Sequence, residues 1–226
     1  MKIKYLYNSG FSLELSCYQL FFDYYKGPLP DIYKPAIFFA SHSHPDHYTD
    51  KIFSYNGKNI VYVLSGEIPV NEASNIIKLN KGDCAEPLPG IKVTAFGSTD
   101  LGVSFMINAE NLTIFHAGDY NLWHWRSEST KEEIAEAEKL FYGVLDTLKP
   151  YKDKIDLAFF PVDGRMGEGT EDGARIFAEA LKPKVLIPMH FGSNLQAPKD
   201  AAHVMEKHTK YVVLAEPGAE INIGEE

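Results

Sequence analysis

The apolar run Ala36-Ile37-Phe38-Phe39-Ala40 passes without a break into Ser41-His42-Ser43-His44-Pro45-Asp46-His47, and this junction constrains the fold more than any other stretch. A short continuous run of apolar and aromatic residues reads as a buried strand. Its last residue then delivers the histidines to the open end of a sheet, where sites in α/β layers sit. Neutral imidazoles with a carboxylate are the donor set that suits zinc, iron or manganese. Pro45 and the close spacing keep the segment out of a helix, so the donors splay in a tight loop around more than one point. The competing reading is a surface loop that happens to be rich in histidine. The chain holds eight His in all, and three of them stand here beside an Asp.

The rest of the chain falls into two halves. Alternation over residues 3–7 and 11–15 brackets the turn Asn8-Ser9-Gly10, and residues 19–22 continue the pattern as far as Asp23, which predicts an antiparallel meander. Residues 59–64, 75–79 and 91–96 read as strands, and 102–108 with 112–116 as a hairpin around Ala109-Glu110-Asn111. Residues 48–54 read as a short helix or turn. Helical spacing of apolar residues over 131–148 stops before Pro150. There follow a strand at 155–160, a helix at 171–181, a strand at 185–189, a helix at 198–208 with Pro198 in its first turn, and a strand at 211–214. This alternation predicts helices packed on a partly parallel sheet, in a single domain spanning residues 1–226.

His42-Ser43-His44-Pro45-Asp46-His47 matches the HxHxDH signature of the metallo-β-lactamase superfamily. Phe115-His116-Ala117-Gly118-Asp119 and Ile187-Pro188-Met189-His190 follow in that superfamily's order. The chain most resembles the branch of L-ascorbate-6-phosphate lactonase-like and related metal-dependent hydrolases, over nearly its whole length. The resemblance implies a four-layer αββα sandwich, where periodicity alone gives only mixed α/β. It also implies that His42 and His44 hold one metal, that Asp46 and His47 hold a second, that Asp119 bridges them, and that His190 completes the second. An acidic buttress is implied at the end of the third strand, where Asp23 stands; the same residue reads equally as a strand-end turn Asp. His116 reads as packed in the core or behind the ligands, and Gly118 as the residue that lets the backbone turn Asp119 towards the metals.

One piece of the pattern is missing. Many members of the superfamily carry a further His at the end of the strand corresponding to 91–96, where this chain reads Gly97-Ser98-Thr99-Asp100. Three outcomes follow: Asp100 serves as an oxygen ligand, which suits manganese or iron; His124 reaches in; or the first metal is weak or absent. The loop with Trp123, Trp125 and Arg126 forms either a substrate wall with a cation for an anionic group, or an anchor into the core. Arg165 either meets a substrate anion or pairs with a neighbouring carboxylate. His203 and His208 read as solvated.

The chemistry implied is hydrolysis of a small-molecule ester, lactone or phosphoester by a metal-activated water, which Asp46 would orient. The cofactor is one or two divalent cations per chain, zinc first, manganese or iron next. The alternatives are a mononuclear or non-catalytic metal-binding protein and a di-iron redox protein. No GxSxG motif offers a serine nucleophile. With 22 basic against 31 acidic residues the net charge is −9, which counts against nucleic acid as partner. The two cysteines form no CxxC pair and read as free thiols in a reducing compartment. Neither a signal-peptide profile nor a run of transmembrane length is seen, so the expected location is the cytoplasm.

Overall fold

The computed structural model describes residues 1–55 and 59–224. The meander forms as β1 (Lys2–Tyr7), β2 (Gly10–Glu14) and β3 (Gln19–Phe22), paired antiparallel. After it the chain reverses its habit: β4 (Ala36–Ala40), β5 (Ile60–Ser65) and β6 (Ile76–Leu79) add to β3 in parallel. The second sheet mirrors this plan. β7 (Cys84–Leu88), β8 (Ile91–Gly97), β9 (Val103–Ala109) and β10 (Leu112–His116) run antiparallel, and α1 (Lys131–Leu148) follows. Then β11 (Leu157–Pro161), α2 (Asp172–Leu181), β12 (Val185–Met189), α3 (Gln196–Asp200), α4 (Ala202–Met205) and β13 (Lys210–Tyr211) extend β10 in parallel. The final strand β14 (Glu220–Asn222) returns to the edge of the first sheet beside β1.

Two seven-stranded sheets therefore face one another, and the period of two along β4 shows how. Ile37 and Phe39 point into the core between the sheets, whereas Phe38 and Ala40 point to the far side of the first sheet. Aromatic rings cross the central gap, with Phe11 on Phe159 at 4.4 Å and Phe39 on Phe105 at 5.4 Å between centroids. Helices cover the outer face of the second sheet. α1 buries Phe141, Val144, Leu145 and Leu148, and Phe177 of α2 packs on Phe115 and Phe160. The outer face of the first sheet is closed by the 3-10 turn Asp50–Ser54 and by extended segments, with Tyr62 donating its hydroxyl proton towards Ile52 O.

Local departures from the sequence reading have physical causes. The helix expected at 198–208 is two short pieces, α3 and α4, with Pro198 in the first turn as expected. The strand at 211–214 shrinks to β13 at the sheet edge. β7 was not expected because Pro87 interrupts its donors, which an edge strand tolerates. β14 is too short to show a period; its pairing to β1 is reinforced by Lys2 and Lys4 on Glu220. Among the described residues no helix is long and apolar enough to cross a membrane.

The consequence for function is positional. Five segments that carry candidate ligands or their supports leave the C-terminal ends of parallel strands: Asp23 after β3, His42–His47 after β4, Asp119 after β10, Asp163 after β11 and His190 after β12. The first two come from one sheet and the last three from the other.

Candidate metal centre

Asp23 organises the first half of the site. Fully buried and in a left-handed conformation (φ 41°), it accepts the Ser41 N–H at Oδ1 and the Ser41 hydroxyl at Oδ2, both at 2.7 Å. Oδ2 also lies 2.8 Å from His47 Nδ1. In the neutral ring that pairing places the His47 proton on Nδ1 and leaves Nε2 as the lone pair. The same logic passes to His42. Since the Ser41 hydroxyl donates to Asp23, its oxygen accepts from His42 Nδ1 at 2.9 Å, and His42 Nε2 is again bare. On the opposite sheet His190 Nδ1 lies 3.1 Å from Asp163 Oδ2, and Asp163 is gripped in turn by Arg165 through Nε at 2.9 Å.

These lone pairs converge on Asp119. His47 Nε2 and His190 Nε2 stand 3.2 and 3.4 Å from its Oδ1, and His42 Nε2 stands 3.4 Å from its Oδ2. Asp46 Oδ2 lies 3.8 Å from both His47 Nε2 and His190 Nε2. Two donor groups result: His42, His44 and Asp119 in one, Asp46, His47 and His190 in the other, the donor atoms of each lying within 4.8 Å of one another. His42 Nε2, His47 Nε2 and Asp119 Oδ1 are buried without any hydrogen-bond partner. Leaving such atoms bare costs about 1–3 kcal/mol each. With the rings neutral these are acceptors facing acceptors, and a cation satisfies all of them at once. The residues present therefore fit divalent metal.

The electrostatics agree. Burial, then the neighbouring His47, lowers the pKa of His42 to about 4, so its ring is neutral as a ligand must be. For His47 burial pulls the same way, but the Asp23 hydrogen bond and the charge of Asp119 outweigh it and raise the pKa to about 9. Burial would push Asp163 up, yet the His190 and Arg165 hydrogen bonds hold it well below the usual carboxylate range.

Close backbone approaches keep the loops in register. Gly118 has φ +54°, and a Cβ there would lie 2.7 Å from Ser41 Cβ and 2.9 Å from Val103 O. At Gly102 a Cβ would lie 2.0 Å from Ser41 O. Asn8 stitches the two halves: Nδ2 donates to Asp46 Oδ2 at 3.2 Å, its carbonyl accepts the His190 N–H at 3.1 Å, and Oδ1 accepts the Gly192 N–H at 3.2 Å. His190 itself takes φ 61°, a conformation that costs a non-glycine residue energy and is held by these contacts. Sequence reasoning placed Asn8 in a turn and gave Arg165 an unnamed carboxylate as one possible partner, and that partner is Asp163. The signal for Asp163 lay in the topology, since it ends the strand next to the one that ends at His190.

The remaining candidates fall outside the two donor groups. Asp100 is exposed. Where the missing histidine is expected, the Thr99 hydroxyl donates to Asn121 O at 2.6 Å and accepts the Asn121 N–H at 2.9 Å. His124 is 1% exposed, with neither ring nitrogen hydrogen-bonded, and packs against the 164–172 loop, where a Cβ on Gly169 would meet its Cε1 at 3.1 Å. His116 lies in the core, stacked on Phe22 at 5.0 Å with Nε2 on Ser9 O. Trp123 donates its indole N–H to Asp119 O at 2.8 Å, stands edge-on to His190 at 5.5 Å and stacks on Trp125. It also lines an open cleft of about 260 Å³ with Thr99, Glu133, Glu136, Ala137 and Leu140. Arg126 pairs with Asp172 at 2.7 Å, and Arg165, though bound to Asp163, leaves 71% of its side chain exposed.

No protein-family model matches the chain. The chain is similar to a UPF0173 metal-dependent hydrolase of Polaromonas sp., with 29% identity over 71% of this chain and 62% of that relative, so that it spans less than two thirds of that protein's length. The UPF0173 metal-dependent hydrolase of Thermococcus kodakarensis matches end to end, with 23% identity over 99% of this chain and 100% of the relative. Among solved structures, the metallo hydrolase Igni18 of Ignicoccus hospitalis superposes with a TM-score of 0.70 at 16% identity, covering 100% of this chain and 99% of the other. The metallo-beta-lactamase fold protein YhfI of Bacillus subtilis does so at 0.64 and 14% identity, covering 97% and 98%. The chain is thus similar to UPF0173 metal-dependent hydrolases and has the metallo-β-lactamase α/β sandwich as its fold.

Proposed function

We propose that this chain is a metal-dependent hydrolase of a small-molecule ester, lactone or phosphoester, and that its cations sit on the two donor groups around Asp119. One observation carries the reading: His42 Nε2 and His47 Nε2 converge on the two oxygens of Asp119 at 3.4 and 3.2 Å, and His42 Nε2, His47 Nε2 and Asp119 Oδ1 are buried with no hydrogen-bond partner. His42, His44 and Asp119 would hold one cation, and Asp46, His47 and His190 the other. When bound, a divalent cation supplies a Lewis acid and lowers the pKa of a coordinated water from 15.7 towards ~7.

The chain's own residues do the rest. Asp46 is 47% exposed at its side chain, and Asn8 holds its Oδ2. Its Oδ1 accepts from the attacking water and orients it. Asp23 and Asp163 keep the His47 and His190 rings from rotating. Trp123 fences the His190 side of the site, and the exposed face of Arg165 meets an anionic group on the substrate. Arg126 is occupied by Asp172 and adds a weaker pull of the same sign. A phosphorylated lactone, with both a hydrolysable carbonyl and an anion, is the substrate class this pairing favours. Imidazoles and carboxylates suit zinc first, then manganese or iron. The exposed free thiols of Cys17 and Cys84 suit the cytoplasm.

The test is metal content by ICP-MS on untagged protein, with a screen of lactones and phosphoesters. Asp119→Ala is expected to lose metal and turnover together. A fully active Asp119→Ala enzyme would overturn the proposal.

A further inference from the structure

We infer that the two donor groups are unequal: Asp46, His47, His190 and Asp119 take one cation tightly, and His42, His44 and Asp119 take a second weakly and reversibly. This rests on the metal-hydrolase reading above and adds an order of filling to it.

The first argument is the number of donors. Asp119 Oδ1 lies within 3.4 Å of both His47 Nε2 and His190 Nε2, so the tight group has four protein donors, two of them carboxylates. The other group has three donors and shares its one carboxylate. Among the described residues no further His, Cys, Asp or Glu joins it. The Thr99 hydroxyl is engaged by Asn121, Asp100 is exposed, and His124 lies against the 164–172 loop.

The second argument is what stands behind each imidazole. His47 and His190 are backed by the buried carboxylates Asp23 and Asp163, at 2.8 and 3.1 Å. A carboxylate on the far nitrogen fixes the ring and makes it a stronger donor. His42 has only the Ser41 hydroxyl behind it. His44 is exposed, touches His42 edge-on at 4.6 Å, and has no carboxylate within ion-pair distance among the described residues. Its ring must be ordered when it binds, which opposes binding. Charge acts in the same direction, because a cation already on Asp119 repels the next one.

Chelator-stripped protein titrated with Co2+, followed by visible absorption and by equilibrium dialysis with ICP-MS, reads the steps without any substrate. Two steps at least tenfold apart in Kd are expected. His44→Ala, at an exposed position that does not threaten folding, removes the weaker step and keeps the stronger. Asp163→Asn weakens the stronger step by about 10- to 100-fold. A single step that survives His44→Ala and is lost in His190→Ala also supports the inference, as the limit of a second site too weak to fill. Two equal steps, or loss of the stronger step in His44→Ala, overturn it and leave the hydrolase reading standing. No binding at all overturns both.

Discussion

Three imidazoles in this protein aim Nε2 at the same small volume because each Nδ1 is already engaged, by Asp23, Ser41 or Asp163. Asp23 is the residue on which most depends. Asp23→Ala strips the acceptor from the Ser41 N–H, the Ser41 hydroxyl and the His47 ring in a fully buried place, and is expected to cost about 3–5 kcal/mol, read as a lower Tm in chelator-treated protein. His124 makes the opposite prediction. Its ring is buried with both nitrogens unpartnered and lies in neither donor group, so His124→Phe should leave metal content unchanged and Tm no lower. ICP-MS and thermal unfolding check both halves. The candidate donors on the loop after β4 were legible because they crowd into one short stretch of sequence. Asn8 and Asp163 were not, because their partners lie 38 and 27 positions away and only strand adjacency brings them together.

At the scale of elements, the sequence reading and the structure agree where a segment carries its own punctuation. α1 spans 131–148 as expected, opened by a reciprocal cap in which Thr130 Oγ1 accepts the Glu133 N–H and the Glu133 carboxylate accepts the Thr130 N–H. Thr130→Ala is expected to cost about 1 kcal/mol and to raise hydrogen exchange in the first turn of α1, whose outer half is exposed. β7 and β14 carried no such marks, since an edge strand with a proline or only three residues shows no period. The turn after β10 is stricter. Gly118→Ala places a methyl against Ser41 and the Val103 carbonyl at positive φ, so it should destabilise by more than about 1 kcal/mol and displace Asp119. Reduced metal content together with a lower Tm is the expected readout. The alternation of helix and strand announced the second sheet. The tilt of the chain back to β14 could not be read, because it depends on an edge left open by β1.

For the whole molecule, the two sheets each supply half of the candidate donor set, one bringing Asp23 and the loop after β4, the other Asp119, Asp163 and His190. A cation present at 100 times its Kd adds about 2.7 kcal/mol to the native state, so chelation should lower Tm, and by less in Asp119→Ala. The net charge of −9 makes the same cations a local relief in an otherwise acidic protein. That shared custody of the ligands also has a meaning in time. With a cation held between them, prising one sheet from the other would require its coordination to break, so a bound metal would work as a clasp on the escape route. Stopped-flow unfolding should therefore speed up when the clasp is chelated while refolding keeps its pace, and the protein's working life would then follow metal supply more closely than its melting point does.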